Sequence, residues 1–473
     1  MPVILWFRQD LRLADNPALT AAVETGEEII ALYILDTDNT LGGASRWWLH
    51  GSLEALAADL GRRGVTLTLR RGRATDIVPA LAREAKASAV FWNRCYDPVA
   101  IADDEKLAPA LAASGVSARS FNGALLLEPS ELKTDSGGPF KVFTPFWRAL
   151  AAQAPFDAPL PAPKKIRAGS PVPSDRLASW GLRSAKPDWA AGLRETWKPG
   201  ETEAAARLTR FLDGPVSLYA EARDYPAVAA TSRLSPHLHF GEISPRQIWA
   251  AAEAARHAMP RTANGVEAFL RELAWREFSI HLLHHWPGIV EHAWKPAFDE
   301  FPWVEDETHL RAWRKGLTGY PIVDAGMREL WTTGYMHNRV RMIAASFLVK
   351  DLLIHWRHGA EWFEDTLVDA DLANNRGGWQ WVAGSGADAA PYFRVFNPVL
   401  QGEKFDADGD YIRRHVPELA RLDRRFIHRP WEAPPSVLAD AGIVPGETYP
   451  APIVDHARAR QRALAAFAKI KGN

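Results

Sequence analysis

The apolar pattern changes period once along this chain, and that change limits the architectures open to it. Residues 3–7, 29–35, 65–69 and 89–92 are short, continuous apolar runs. Between or after them, residues 45–60, 76–86 and 101–113 repeat at helical spacing. This βαβ rhythm predicts a parallel sheet covered by helices. From Glu201 onward no strand pattern recurs. Residues 201–212, 245–256, 265–285, 310–316, 321–334, 338–353 and 360–367 all carry helical periodicity. Between the two textures prolines cluster (Pro155, Pro159, Pro161, Pro163, Pro171, Pro173), with Lys164, Lys165 and Arg167 among them. That composition reads as a surface connector. The expected fold is an α/β domain with a Rossmann-like parallel sheet (1–130), a linker (131–200) and an all-α domain (201–473).

A chain of 473 residues is too long for one ordinary core, which agrees with that division. The net charge of −1 gives no overall cationic field, so a nucleic-acid partner needs a local basic face. The single cysteine, Cys95, excludes an intrachain disulfide and a cysteine metal cluster, and no metal is expected. A reducing, cytoplasmic setting fits. The N-terminal residues become charged too early for a signal peptide, and no apolar run approaches membrane-spanning length. Most of the twenty tryptophans must be packing residues, so function is sought where tryptophan meets polar groups.

That happens most densely at Asp369-Ala-Asp-Leu-Ala-Asn-Asn-Arg-Gly-Gly-Trp-Gln-Trp381. An ordinary amphipathic helix does not require such a mix. Carboxylates and amides offer acceptors and donors to a polar heterocycle. Glycines let a flat ring approach the backbone, and indoles supply stacking surface and oxidisable π-systems. A large aromatic redox cofactor is expected here. No Gly-x-Gly-x-x-Gly follows a strand, so no dinucleotide is expected in the first turn of the α/β domain.

Three other segments carry chemistry. In Thr231-Ser-Arg-Leu-Ser-Pro236, hydroxyls and an arginine precede a helix start, a setting suited to a pyrophosphate. Read alone, Ser235-Pro236 and Ser244-Pro245 are each a plain helix start with a serine cap. In Phe269-Leu-Arg-Glu-Leu-Ala-Trp-Arg-Glu-Phe278, Glu272, Trp275, Arg276 and Ser279 share one helical face. Alone, that is an ion pair beside a core tryptophan. Near His337, Asn338, Arg341 and Met342 share a face, and a buried Arg341 needs an acid such as Asp369. His337 by itself reads as a satisfied core histidine. Arg394, Lys404, Arg413, Arg414, Arg421, Arg424 and Arg425 follow, interleaved with Tyr392, Phe393 and Phe396. Basic residues with aromatics suggest phosphate positioning beside a base-admitting hole; Arg421 to Arg425 read equally as a solvated surface.

These blocks, from Trp6-Phe7-Arg8-Gln9-Asp10-Leu11-Arg12 to about Pro430, resemble the photolyase/cryptochrome family, most closely bacterial photolyases of cyclobutane pyrimidine dimers. The resemblance implies FAD, reduced and anionic in the active form. Its cofactor contacts map to Tyr219, Thr231, Ser232, Arg233, Leu234, Ser235, Phe269, Arg276, Arg341, Asp369, Ala370, Asp371 and Asn375. Asn375 falls at the position facing flavin N5, where an amide can turn to offer donor or acceptor. Plant cryptochromes place aspartate there and animal cryptochromes cysteine. Trp379, Trp356 and Trp303 match the proximal, central and terminal members of the family's electron relay. Arg376 departs from the common pattern and is expected to face away from the flavin.

Catalytic positions implied are Glu272, Asn338, Met342 and Asn375. DNA contacts implied are Arg223, Glu272, Trp275, Asn338, Arg339, Trp381, Arg394 and Gln401. Repairers of the (6-4) photoproduct carry a histidine pair where this chain has Asn338 and Met342, so electron transfer without a proton shuttle is implied. A second, light-harvesting pigment is expected, folate or deazaflavin. The segment at Tyr96-Asp97-Pro98-Val99 resembles plant cryptochromes and their bacterial relatives without identifying it. The expectation is a monomeric deoxyribodipyrimidine photo-lyase acting on dimer-containing DNA. A cryptochrome photoreceptor, a (6-4) photolyase and a non-enzymatic nucleic-acid-binding protein are the alternatives. The lack of a long C-terminal extension after Asn473, and Asn375 itself, are expected to weigh against the photoreceptor.

Overall fold

The computed structural model describes residues 1–37, 41–184, 186–389 and 393–471. Strands β1 (Val3–Phe7), β2 (Ile29–Leu35), β3 (Leu67–Arg71), β4 (Ala89–Asn93) and β5 (Ser117–Phe121) form one parallel sheet in the order β3-β2-β1-β4-β5. Helices α1 (Pro17–Glu24), α2 (Gly43–Gly61), α3 (Ala74–Glu84) and α4 (Pro98–Ala113) connect them. Every residue of β1 is buried, as a central strand covered on both faces must be. β1 pairs with both β2 and β4, so the strand order reverses beside it.

Among the sheet strands and their connecting helices, two elements escaped the sequence reading, and one was displaced. β5 is an edge strand of sequence Ser-Ala-Arg-Ser-Phe with no buried residue, so it shows no apolar run. β3, the other edge, runs two residues later than expected and ends on Arg70 and Arg71. α1 is marked only by its cap: Asn16 accepts from the Leu19 amide and Pro17 follows. The connector does more than span. Leu69 of edge strand β3 donates to Ser174 Oγ at 2.9 Å and accepts from the Asp175 amide at 2.8 Å. That covers backbone groups an edge otherwise exposes.

Beyond Glu201 the described residues contain helices and no strand. The helix expected over 338–353 is corrected: it spans Asn338–Ser346, and Phe347–Asp351 form a π turn. Every residue from Ile343 to Ile354 is buried, and a segment buried all round has no period to read. Leu353 then takes a left-handed conformation (φ 57°) and turns the chain into the next helix, Trp356–Thr366.

The chain forms two compact units. One comprises Met1–Ala190, Arg194–Ser217 and Ser232–Pro287; the other comprises Ala191–Leu193, Leu218–Thr231 and Gly288–Asn473. The helix Ala263–His285 thus groups with the sheet. The boundaries at 130 and 200 follow composition along the chain and stay a proposal about its modules. No described helix is long and apolar enough to cross a membrane.

Candidate cofactor and DNA site

In the second unit, Asp371 caps the helix Leu372–Ala383, accepting from the Asn374 amide at 2.8 Å and from Asn374 Nδ2 at 2.6 Å. The first of the paired amides therefore closes the helix start. Two residues upstream, both oxygens of Asp369 accept from Arg341 Nη2, at 3.0 and 2.9 Å. Arg341 Nε also donates to the Met336 carbonyl at 2.7 Å. The expected pair is formed, and it ties this segment to the helix Asn338–Ser346. His337 caps that helix through Nδ1, and burial pushes its imidazole down to about 4. It is a neutral structural histidine.

Asn375 reaches back to the helix Trp356–Thr366. Its Nδ2 donates to the Ala360 carbonyl at 2.9 Å and to Glu364 Oε1 at 3.2 Å. Glu364 is in turn gripped by Arg376, with Nη2 2.9 Å from Oε2 and Nε 2.8 Å from Oε1. Gln380 is spent on the Ile289 and His292 carbonyls. A Cβ added to Gly378 would meet no described atom within 4 Å, whereas one on Gly359 would strike the Trp379 ring at 2.1 Å.

Trp379, Trp356 and Trp303 all lie in this unit. Trp379 is buried and rests on the backbone of Gly359, one turn beyond Trp356. Trp356 is fully buried. The His355 ring neighbours both Trp356 and Trp303, with centroids at 5.6 and 4.9 Å.

In the first unit, the half-buried Trp275 stacks flat on Phe143 with centroids 3.7 Å apart, so one of its faces is already covered. Ser279 is spent on the Trp275 carbonyl. Arg276 donates to the Ala124 carbonyl at 2.8 Å and neighbours Glu277 at 3.3 Å. Burial pushes the Glu277 carboxyl up to about 7 although it accepts from the Leu126 amide. The phosphate-type segment differs in detail from expectation. Leu234 occupies the cap position and Ser235 is the first helical residue, with Pro236 second. Arg233 adopts φ 51° and lays its guanidinium over Trp197 at 5.0 Å. Ser244 does cap its helix, in a capping box with Gln247.

The basic run is mostly committed locally. Arg413 donates to the Leu422 carbonyl, Arg421 to the Asp440 carbonyl, Arg424 pairs with Asp408, and Arg425 with Asp423. That favours a solvated surface for Arg421 to Arg425. Arg339 pairs with Asp224 at 2.7 Å and lies over Phe405, so its charge is already met. Arg394 is exposed, with its guanidinium 4.8 Å over Phe396. Tyr392 lies outside the described residues.

Residues 3–164 match the family model "DNA photolyase", and residues 269–469 match "FAD binding domain of DNA photolyase". A deoxyribodipyrimidine photo-lyase of Agrobacterium fabrum is 54% identical over 99% of this chain and 98% of its own length. The chain belongs to the photolyase/cryptochrome family. A class III photolyase structure from Agrobacterium tumefaciens superposes with a TM-score of 0.97, covering 100% of this chain and 98% of that one at 54% identity. Cryptochrome-1 of Arabidopsis thaliana is 42% identical over 97% of this chain and 69% of its own length. The photolyase-type α/β region and helical FAD-binding region are therefore both present.

Within the second unit, then, Arg341, Asp369, Asp371 and Asn375 lie on or next to two adjoining helices, and Trp379, Trp356 and Trp303 belong to the same unit. Ala370 lies between the two acids, and Trp381 is half-buried against the same core. Tyr219 is buried, Thr231, Arg223, Met342 and Gln401 are half-buried, and Asn338 is exposed. In the first unit Phe269 is buried against Phe211, while Ser232 is half-buried. Sequence reasoning missed Glu364 and Gly359. Their signal was present: Ala360 and Glu364 stand four apart on a helix that also carries Trp356.

Proposed function

We propose that this chain repairs cyclobutane pyrimidine dimers in DNA with blue light, as a deoxyribodipyrimidine photo-lyase. The observation that carries this is the grouping, within one unit, of the Arg341–Asp369 pair, the Asn375 amide and three tryptophans. The donor set fits a flavin. Asp369 and Asp371 offer acceptors, Arg341 steadies Asp369, and Trp379 and Trp356 offer oxidisable rings behind them. FAD held by these residues would supply, in its reduced anionic form, light-driven electron-transfer chemistry. The chain's own residues hold, orient and shield. Thr231, Ser232, Arg233 and Ser235 are proposed for the phosphates, and Glu272 and Trp275 for the flipped dimer. Flipping costs a few kcal/mol, least for an already weakened lesion pair.

Asn375 supports repair over the photoreceptor reading, since plant cryptochromes carry aspartate at that position. Asn338 and Met342, in place of a histidine pair, support a cyclobutane dimer over a (6-4) photoproduct. The second pigment remains a proposal, a folate or deazaflavin. The polar groups of the segment expected near it are used locally: Tyr96 donates to Glu128 and Asp97 caps α4. A photolyase structure from Sulfolobus tokodaii, 30% identical with a TM-score of 0.81, is described with two FAD molecules. A monomer in the cytoplasm is the proposed working form.

The visible absorption spectrum of the purified protein tests the cofactor, and illumination of Trp379→Phe tests the relay. Trp379→Phe is expected to lose light-driven reduction of oxidised FAD but to retain repair after chemical reduction. Normal photoreduction in Trp379→Phe would reassign the first donor, and colourless protein would remove the flavin reading.

A further inference from the structure

We propose that the Glu364–Arg376 ion pair is a positioning clamp that locks Asn375 as a hydrogen-bond acceptor toward the cofactor. This rests on the flavin reading above. An asparagine amide is two-sided: its nitrogen donates twice and its oxygen only accepts. Here both donor positions are taken. Nδ2 faces the Ala360 carbonyl at 2.9 Å and Glu364 Oε1 at 3.2 Å. A carbonyl and an ion-paired carboxylate are both acceptors, so the opposite amide orientation would set oxygen against oxygen. Arg376 donates from Nη2 to Glu364 Oε2 at 2.9 Å, and its Nε lies 2.8 Å from Oε1 as an ion-pair contact, which steadies the carboxylate.

The amide cannot turn as expected from its chemistry alone. Oδ1 is the only group Asn375 has left, and among the described residues nothing donates to it. An acceptor aimed at flavin N5 favours a proton on N5 and disfavours a bare N5 lone pair. Arg376, expected to face away from the flavin, thereby acts through two other side chains. Its guanidinium also lies 5.9 Å from the Trp356 ring, on the same helix that supplies Ala360 and Glu364. The clamp therefore links the asparagine position to the central relay tryptophan.

The test uses the flavin-loaded protein and compares it with Arg376→Ala, Glu364→Ala and Arg376→Lys. The readout is the visible spectrum after photoreduction, titrated against pH, which reports the apparent pKa of the N5 proton. Releasing the amide is expected to lower that pKa by about one unit, the size of one hydrogen bond. Arg376→Lys, which keeps a cation beside Glu364, is expected to restore most of the shift. FAD dissociation constants measured in parallel separate clamp loss from cofactor loss. If Arg376→Ala does not fold, Arg376→Gln replaces it. Unchanged N5 titration in flavin-loaded Arg376→Ala and Glu364→Ala would overturn the clamp. Absence of flavin from the unaltered protein would instead overturn the reading on which it rests.

Discussion

Gly359→Ala sets two opposing effects against each other, and the structure decides between them. Gly359 lies inside the helix Trp356–Thr366, where alanine is ordinarily the better residue by about 1 kcal/mol. At this position, however, the added Cβ would lie 2.1 Å from Trp379 Cη2 and 2.5 Å from two further ring atoms. Van der Waals contact between carbons needs about 3.5 Å or more, so the ring must retreat by roughly 1–1.5 Å. It has little room to do so. Trp379 is 3% exposed, and the edges of Phe363 and Trp313 meet it at 5.0 and 6.0 Å. Overpacking of a closed core costs about 1–3 kcal/mol. The net expectation is destabilisation by about 0–2 kcal/mol, with slower photoreduction because Trp379 is displaced. Urea unfolding and flavin photoreduction on one preparation measure both. A variant as stable as the parent, or more stable, with unchanged photoreduction would show that Trp379 is not wedged on this glycine.

Asp369→Ala should strand the Arg341 guanidinium beside one remaining carbonyl. Buried pairs lose about 3–5 kcal/mol when broken, but Arg341 keeps 23% exposure, so about 1–3 kcal/mol is expected in unfolding, with loss of FAD. Acid should destabilise the fold through His281 and His337, both buried and held down to about 4. A depressed histidine contributes stability above its unfolded value near 6.5 that is lost as pH falls toward 4. With two such groups the slope mid-window is roughly 3 kcal/mol per pH unit, and a flat profile there would refute the assignment. Trp275→Ala should reduce preference for dimer-containing over intact DNA by about tenfold or more. Arg394→Ala should weaken both alike and flatten the salt dependence by about one unit of slope. Equal weakening of both DNAs by Trp275→Ala would return that tryptophan to packing against Phe143.

The central strands were legible because burial on both faces writes a continuous apolar run, as in Val3–Phe7. The edges were not, because β5 is Ser-Ala-Arg-Ser-Phe and an edge tolerates polar residues. The π turn at Phe347–Asp351 was hidden by uniform burial. At the site, the Arg341–Asp369 pair followed from electrostatic need alone. The orientation of Asn375 did not, because it depends on Ala360 and Glu364, brought near only by helix packing. Arg376 looked anomalous in the sequence for the same reason: its partner stands twelve residues away.

The measurement that bears most directly on the account is repair of a defined oligonucleotide carrying one cyclobutane thymine dimer, by flavin-loaded reduced protein, in blue light and in the dark. A parallel oligonucleotide carries a (6-4) photoproduct. The account predicts restored thymines from the dimer in the light only, and none from the (6-4) lesion. Failure to restore the dimer in the light, with FAD bound and reduced, would contradict it.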